Sequence, residues 1–240
     1  MFHISKNSKL LRSVILIVGL LFGTIYCNKS SGKVEGGVVS FTRGSVNLER
    51  GSEKISVNSG QAIQNGDILS TGENSTSIVE FPGKSVVIEI QSNSRFRFDG
   101  TGSSKEFFQE AGKSWLQSNK LLQGESLKLS SPTAVAGVRG TKFYTTVVGE
   151  TTVTCHCQGQ VDMESKKSHL HKVNEGDYLS AVRGDKIIFV TSEDLIKAGV
   201  EYSHDHSEIQ NSELGKQGSM SPEKVKIVTA LIEKKFAEKN

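Results

Sequence analysis

From Gly36 to about Val190 the chain is a succession of short runs in which every second residue is apolar, broken repeatedly by Gly, Asn, Asp and Ser. An apolar period of two separates a core face from a polar face only when the backbone is extended, because successive side chains of a strand point to opposite sides. Val46 and Leu48 share a face in this way, as do Val86, Ile88 and Ile90, and then Phe96 and Phe98. Between the runs fall Arg50-Gly51, Asn65-Gly66-Asp67, Thr71-Gly72-Glu73-Asn74, Pro82-Gly83-Lys84 and Asp99-Gly100, the residue types that tight turns demand. Residues 36–190 are expected to form a mainly β domain of many short strands, a sandwich, barrel or solenoid. At 240 residues and 35% hydrophobic content the chain can bury the core that such a domain needs.

After Thr191 the pattern changes. Thr191-Ser192-Glu193-Asp194 has the form of a helix start and Gly199 of a helix stop. Ser221-Pro222-Glu223 offers a cap, a proline at the first helical position and an acid in the first turn, and Val225, Val228, Leu231, Ile232 and Phe236 follow at helical spacing. Residues 191–240 are therefore read as a helical tail. Its apolar stripe either docks on the β domain or is offered to a partner.

The other end of the chain concerns export. Lys6, Lys9 and Arg12 are followed by an uncharged apolar run of 14 residues, 13–26, which ends at Cys27. A membrane-spanning helix needs about 20 apolar residues, so residues 1–26 are expected to be a cleaved signal peptide. The cysteine directly after the run, and the polar stretch behind it, resemble a bacterial lipoprotein signal, which implies a lipid on Cys27 and a tether over residues 27–35. Thr24 and Tyr26 depart from the usual Leu-Ala-Gly before the cysteine and resemble the relaxed form found in spirochaetes. Ordinary secretion and a retained short anchor are the alternatives. The same three basic residues settle a question of charge. Without them 26 bases face 26 acids, so the exported part is neutral and lacks the basic surplus that nucleic-acid binding requires.

An ordered series of motifs runs through the β region: Gly36-Gly37-Val38-Val39, Gly44-Ser45-Val46, Gly60-Gln61-Ala62-Ile63, Gly66-Asp67-Ile68-Leu69-Ser70-Thr71-Gly72, Ser77-Ile78-Val79-Glu80-Phe81, Ala111-Gly112-Lys113-Ser114-Trp115, Ser131-Pro132-Thr133-Ala134-Val135-Ala136, Val138-Arg139-Gly140-Thr141-Lys142-Phe143 and Gly159-Gln160-Val161. This series resembles the FecR domain over residues 36–190, with Arg139, Gly140, Thr141 and Phe143 as its signature. On physical grounds Gly140 marks special backbone geometry or a close approach, and Phe143 faces the core. Arg139 either pins the strand through loop carbonyls or an acid, or faces a ligand. In signalling members the resemblance implies a cytoplasmic anti-sigma segment, a membrane helix and an outer domain. Only 12 residues precede the apolar run here, so what carries over is the outer domain as a recognition or scaffold module.

No hydrolase elbow, zinc-protease helix motif or phosphate loop occurs. The sharper chemical feature is Cys155-His156-Cys157, which in an extended segment projects both thiols to one side. Val153, Cys155, Cys157, Val161 and Met163 share one parity, so the cysteines are read as core residues; a metal site with His204 and His206, zinc being the ion that set would hold, and a Cys155–Cys157 disulfide are the other readings. His169-Leu170-His171 is read as a solvated hairpin loop. The expected protein is a non-enzymatic, lipid-anchored FecR-like module of the cell envelope, without a cofactor and of undetermined oligomeric state, held on the membrane (the outer one before the inner) by its acyl group and binding an envelope protein or cell-wall polymer. A zinc-binding envelope protein and an unrecognised hydrolase are the alternatives.

Overall fold

The structure is a computed structural model that describes residues 36–119, 121–175, 179–200 and 221–238. The chain divides into two compact units, residues 1–33 and 34–240, and the first lies outside the described residues. In the second, the described strands are β1 (Val38–Arg43), β2 (Val46–Arg50), β3 (Glu53–Ser56), β4 (Ile68–Thr71), β5 (Thr76–Glu80), β6 (Val86–Ile90), β7 (Arg95–Thr101), β8 (Ser104–Ser118), β9 (Ser126–Ser130), β10 (Ala134–Val148), β11 (Thr151–Ser165), β12 (His171–Glu175), β13 (Leu179–Arg183) and β14 (Lys186–Val190), followed by helices α1 (Ser192–Lys197) and α2 (Pro222–Ala237). No helix among the described residues is long and apolar enough to cross a membrane.

Strands β8, β10 and β11 each run 15 residues, and each changes partners halfway. The first half of β8 pairs with β7 and β9, its second half with β6 and β10. The first half of β10 pairs with β9, its second half with β8. β11 pairs with β13 near its start and with β12 near its end. One continuous hydrogen-bonded network is thereby folded into two layers. The first holds β1, β5, β6, the second half of β8 and of β10, the first half of β11, β13 and β14. The second holds β3, β2, β4, β7, the first half of β8, β9, the first half of β10, the second half of β11, and β12.

The main core lies between these layers. Val79, Ile88, Ile90, Leu116 and Phe143 of the first meet Leu48, Leu69, Leu129, Val161 and Met163 of the second. Phe96, Phe98 and Phe107 form an aromatic cluster with centroids 5.2 to 5.8 Å apart. Each ring is at most 1% exposed, and full burial of a phenylalanine stabilises by about 2–3 kcal/mol. A smaller core covers the outer side of the first layer, where Leu179, Ala181 and Val190 meet Leu195 and Val200 and, from α2, Val228 and Ile232. The tail's stripe therefore docks on the sheet, with Val225 left 47% exposed. Arg183 of β13 grips the Glu233 carboxylate with both terminal nitrogens and stacks on Phe236, and Lys235 reaches Asp194 of α1 at 2.9 Å. Thr191 caps α1: its hydroxyl accepts from the Asp194 amide, while the Asp194 carboxylate accepts from the Thr191 amide.

Two details differ from the sequence reading. Asp99-Gly100 is not a turn; Gly100 lies inside β7 beside a register shift, where a side chain would strike the Ser104 carbonyl at 2.7 Å. Cys155 and Cys157 do not share a core with Val161 and Met163. The cysteines face the helices and the latter pair faces the opposite layer.

Candidate functional site

The signature residues sit where β10 and β11 turn from one layer to the other. Arg139 pairs with Gln160 and Lys142 with Gln158, so Gly140 and Thr141 stand opposite Gly159 alone, and a second shift follows before Phe143 pairs with His156. Two residues against one is a β-bulge, which bends the strand and advances its alternation by one. The inward residues of β10 are Ala134, Ala136 and Val138 before the bulge and Thr141, Phe143 and Thr145 after it. Gly140 has φ +65° and Gly159 φ +85°, a region that other residues enter only with strain. At Gly159 a side chain would also meet the Thr141 methyl at 2.8 Å and the Gly140 carbonyl at 2.9 Å. The bulge frees the Thr141 amide, which donates to the Ser118 hydroxyl at 3.3 Å. Phe143 is fully buried, as its parity predicts. The Arg139 backbone belongs to β10, and its side chain lies outside what is described.

A second motif residue has a plain structural task. Asp67 is wholly buried, accepts from Arg50 Nε at 2.8 Å and Nη2 at 2.6 Å, and accepts from the Gln64 amide at 2.8 Å. It ties the end of β2 to the loop that enters β4. In the sequence Asp67 reads as a turn residue after Asn65-Gly66, and the only local hint of burial is the apolar Ile68-Leu69 that follows it.

The Cys155 and Cys157 sulfurs lie 3.6 Å apart, in contact and not at bonding distance, and both residues are at most 5% exposed. Cys27, His204 and His206 lie outside the described residues. His156 points the other way, into the sandwich, at 1% exposure, with Nε2 at 2.8 Å from the Ser180 hydroxyl and Nδ1 without a partner among the described residues. Burial lowers its pKa to about 4, so it is neutral at pH 7. Behind the cysteines, Trp115 and Tyr144 meet in a tilted ring contact with centroids 5.1 Å apart, and burial pushes the Tyr144 phenol up to about 12.

His169 adopts φ +55° in the turn before β12, and His171 begins that strand. His169 Nδ1 is 2.9 Å from Glu164, whose carboxyl this contact holds below its ordinary pKa. His171 faces Asp162 through Nδ1 at 3.3 Å and Glu164 through Nε2 at 3.8 Å. Since the two ring nitrogens diverge, these donors do not converge on one point, and no group of three or more His, Cys, Asp or Glu among the described residues is set to hold a metal ion.

No curated protein matches the chain. Two crystal structures of a candidate anti-sigma factor from Parabacteroides distasonis are similar to it at 14% identity and a TM-score of 0.46, covering 55% of this chain and 63% and 62% of theirs. The chain thus spans less than two thirds of that protein's length. The FecR protein family matches from Asp67 to Asp162, a shorter span than the motif series, running from the buried aspartate through the corner glycines. Residues 67–162, less than half of the chain, are thus similar to the FecR protein family.

Proposed function

We propose that the protein is an exported, lipid-anchored module of the bacterial cell envelope, without enzymatic activity, whose FecR-type sandwich serves as a binding or scaffold element in a signal-related assembly. The observation that supports this best is the use made of the signature. Gly140, Thr141, Phe143 and Gly159 are spent on a bulge and a core position, which build a fold and leave loops and sheet edges for recognition. The partner in this reading is an envelope protein or a cell-wall polymer, met at the membrane through acyl chains on Cys27. Each methylene of such a chain adds about 0.8 kcal/mol of membrane affinity.

The test is the intact mass of protein extracted from membranes, beside a Cys27→Ala variant. A chain that begins at Cys27 and carries acyl groups absent from the variant supports the reading. An unprocessed chain, or a cleaved chain without lipid, overturns the anchored part. Turnover of generic ester or glycoside substrates, abolished by a single Ser or His substitution, overturns the non-enzymatic part.

A further inference from the structure

Where Ala134 and Ala136 of β10 lie across from Thr145 and Thr154, the two layers leave a partly open space of about 10 Å³ between them, the room of one water molecule. Thr145 and Thr154 are register partners across β10 and β11, point to the same inner side, and are 2% and 0% exposed. Facing threonines on one side of a sheet commonly hydrogen-bond to each other. Here neither Oγ1 has a partner among the described residues, although both side chains line the cavity.

The rest of the wall narrows what can occupy this space. Ser131 and Thr152 also line it, and their hydroxyls are bonded to each other at 2.7 Å. Thr152 in turn bonds the half-buried Thr133 at 2.7 Å, a hydroxyl chain that leads outward. Leu129, Ala134, Ala136 and Met163 form the apolar side, and among the described residues no charged side chain lines the wall. An ion would have no counter-charge, and an organic ligand would not fit. An occupant must be neutral, of water size, and able both to donate and to accept.

We propose that this cavity is the binding site of one internal water molecule, held between Thr145 Oγ1 and Thr154 Oγ1 and exchanging along the Thr152–Thr133 side. A buried site with two to four polar partners is the setting in which internal water is retained.

Three measurements on the full-length protein decide it. A high-resolution crystal structure should show one ordered water within hydrogen-bond reach of both hydroxyls; hydroxyls bonded to each other across a closed gap overturn the proposal. Oxygen-17 and deuterium relaxation dispersion should count one long-lived water fewer in Thr145→Val/Thr154→Val, and an unchanged count overturns it. Thr145→Val or Thr154→Val alone should lower the unfolding midpoint by about 2–4 °C, the double variant by less than the sum, because the methyl pair leaves a dry cavity. A raised midpoint in both single variants would mean that the hydroxyls are dry in the native protein.

Discussion

Gly159 combines a left-handed backbone with no room for a methyl group, and Gly66 has the same backbone, φ +85°, with open space around it. The pair separates strain from collision. Gly66→Ala should cost about 1 kcal/mol for the backbone alone, and Gly159→Ala about 2–4 kcal/mol, read as the difference in urea midpoints. Asp67→Ala should cost about 3 kcal/mol, since it leaves Arg50 without its buried carboxylate; Asp67→Asn should recover little, because the guanidinium loses a charge partner either way. His156 makes stability depend on pH. An unfolded histidine protonates near pH 6.5, and the buried ring only near 4. Below 6.5 the unfolded chain takes up a proton that the folded one refuses, so stability is whole above that value and falls by about 3 kcal/mol as pH drops to 4. His156→Gln should flatten the slope in that window; an equal slope in both proteins would assign it elsewhere.

At the scale of elements, α2 holds the outer side of the first layer closed through Val228 and Ile232. Ile232→Ala in the full chain should cost about 2–4 kcal/mol and speed alkylation of the sulfurs of Cys155 and Cys157, which in the unaltered protein should react only in denaturant. Equal alkylation rates in both would mean that the helix does not guard them. Much at this scale is legible without coordinates. Period-two alternation marks Val86 to Ile90 and Arg95 to Phe98 as strands, and Thr191 and Ser221 announce the two helices, because those signals are local. What escapes is the change of parity within a long strand. Nothing near Gly112, Gly140 or Gly159 states that one residue is to be skipped, since a bulge is defined by the strand across from it. Extending one alternation from Cys155 to Met163 therefore assigns them to one core, whereas the second register shift, between Gln158 and His156 of β11, sends them to opposite sides of the sheet. Likewise Asp67 reads as a turn residue until Arg50, 17 positions earlier, is folded against it.

For the molecule as a whole, the sharing of β8, β10 and β11 between layers means that neither layer has a complete set of strands of its own. Loss of one should unravel the other, and unfolding should be a single transition. Trp115, the only tryptophan, lies in the second half of β8, so its fluorescence reports on the first layer. Its midpoint should coincide with that of far-ultraviolet circular dichroism; an earlier fluorescence transition would show that the layers part independently. The strand sharing also bears on how such a module can transmit anything. Two sheets joined only by loops can slide or swing, but sheets joined through unbroken backbone at three places have no hinge. A pull or a docked partner on one layer is felt by the other as displacement of a rigid block, so information would travel as position and orientation, not as a change of internal shape.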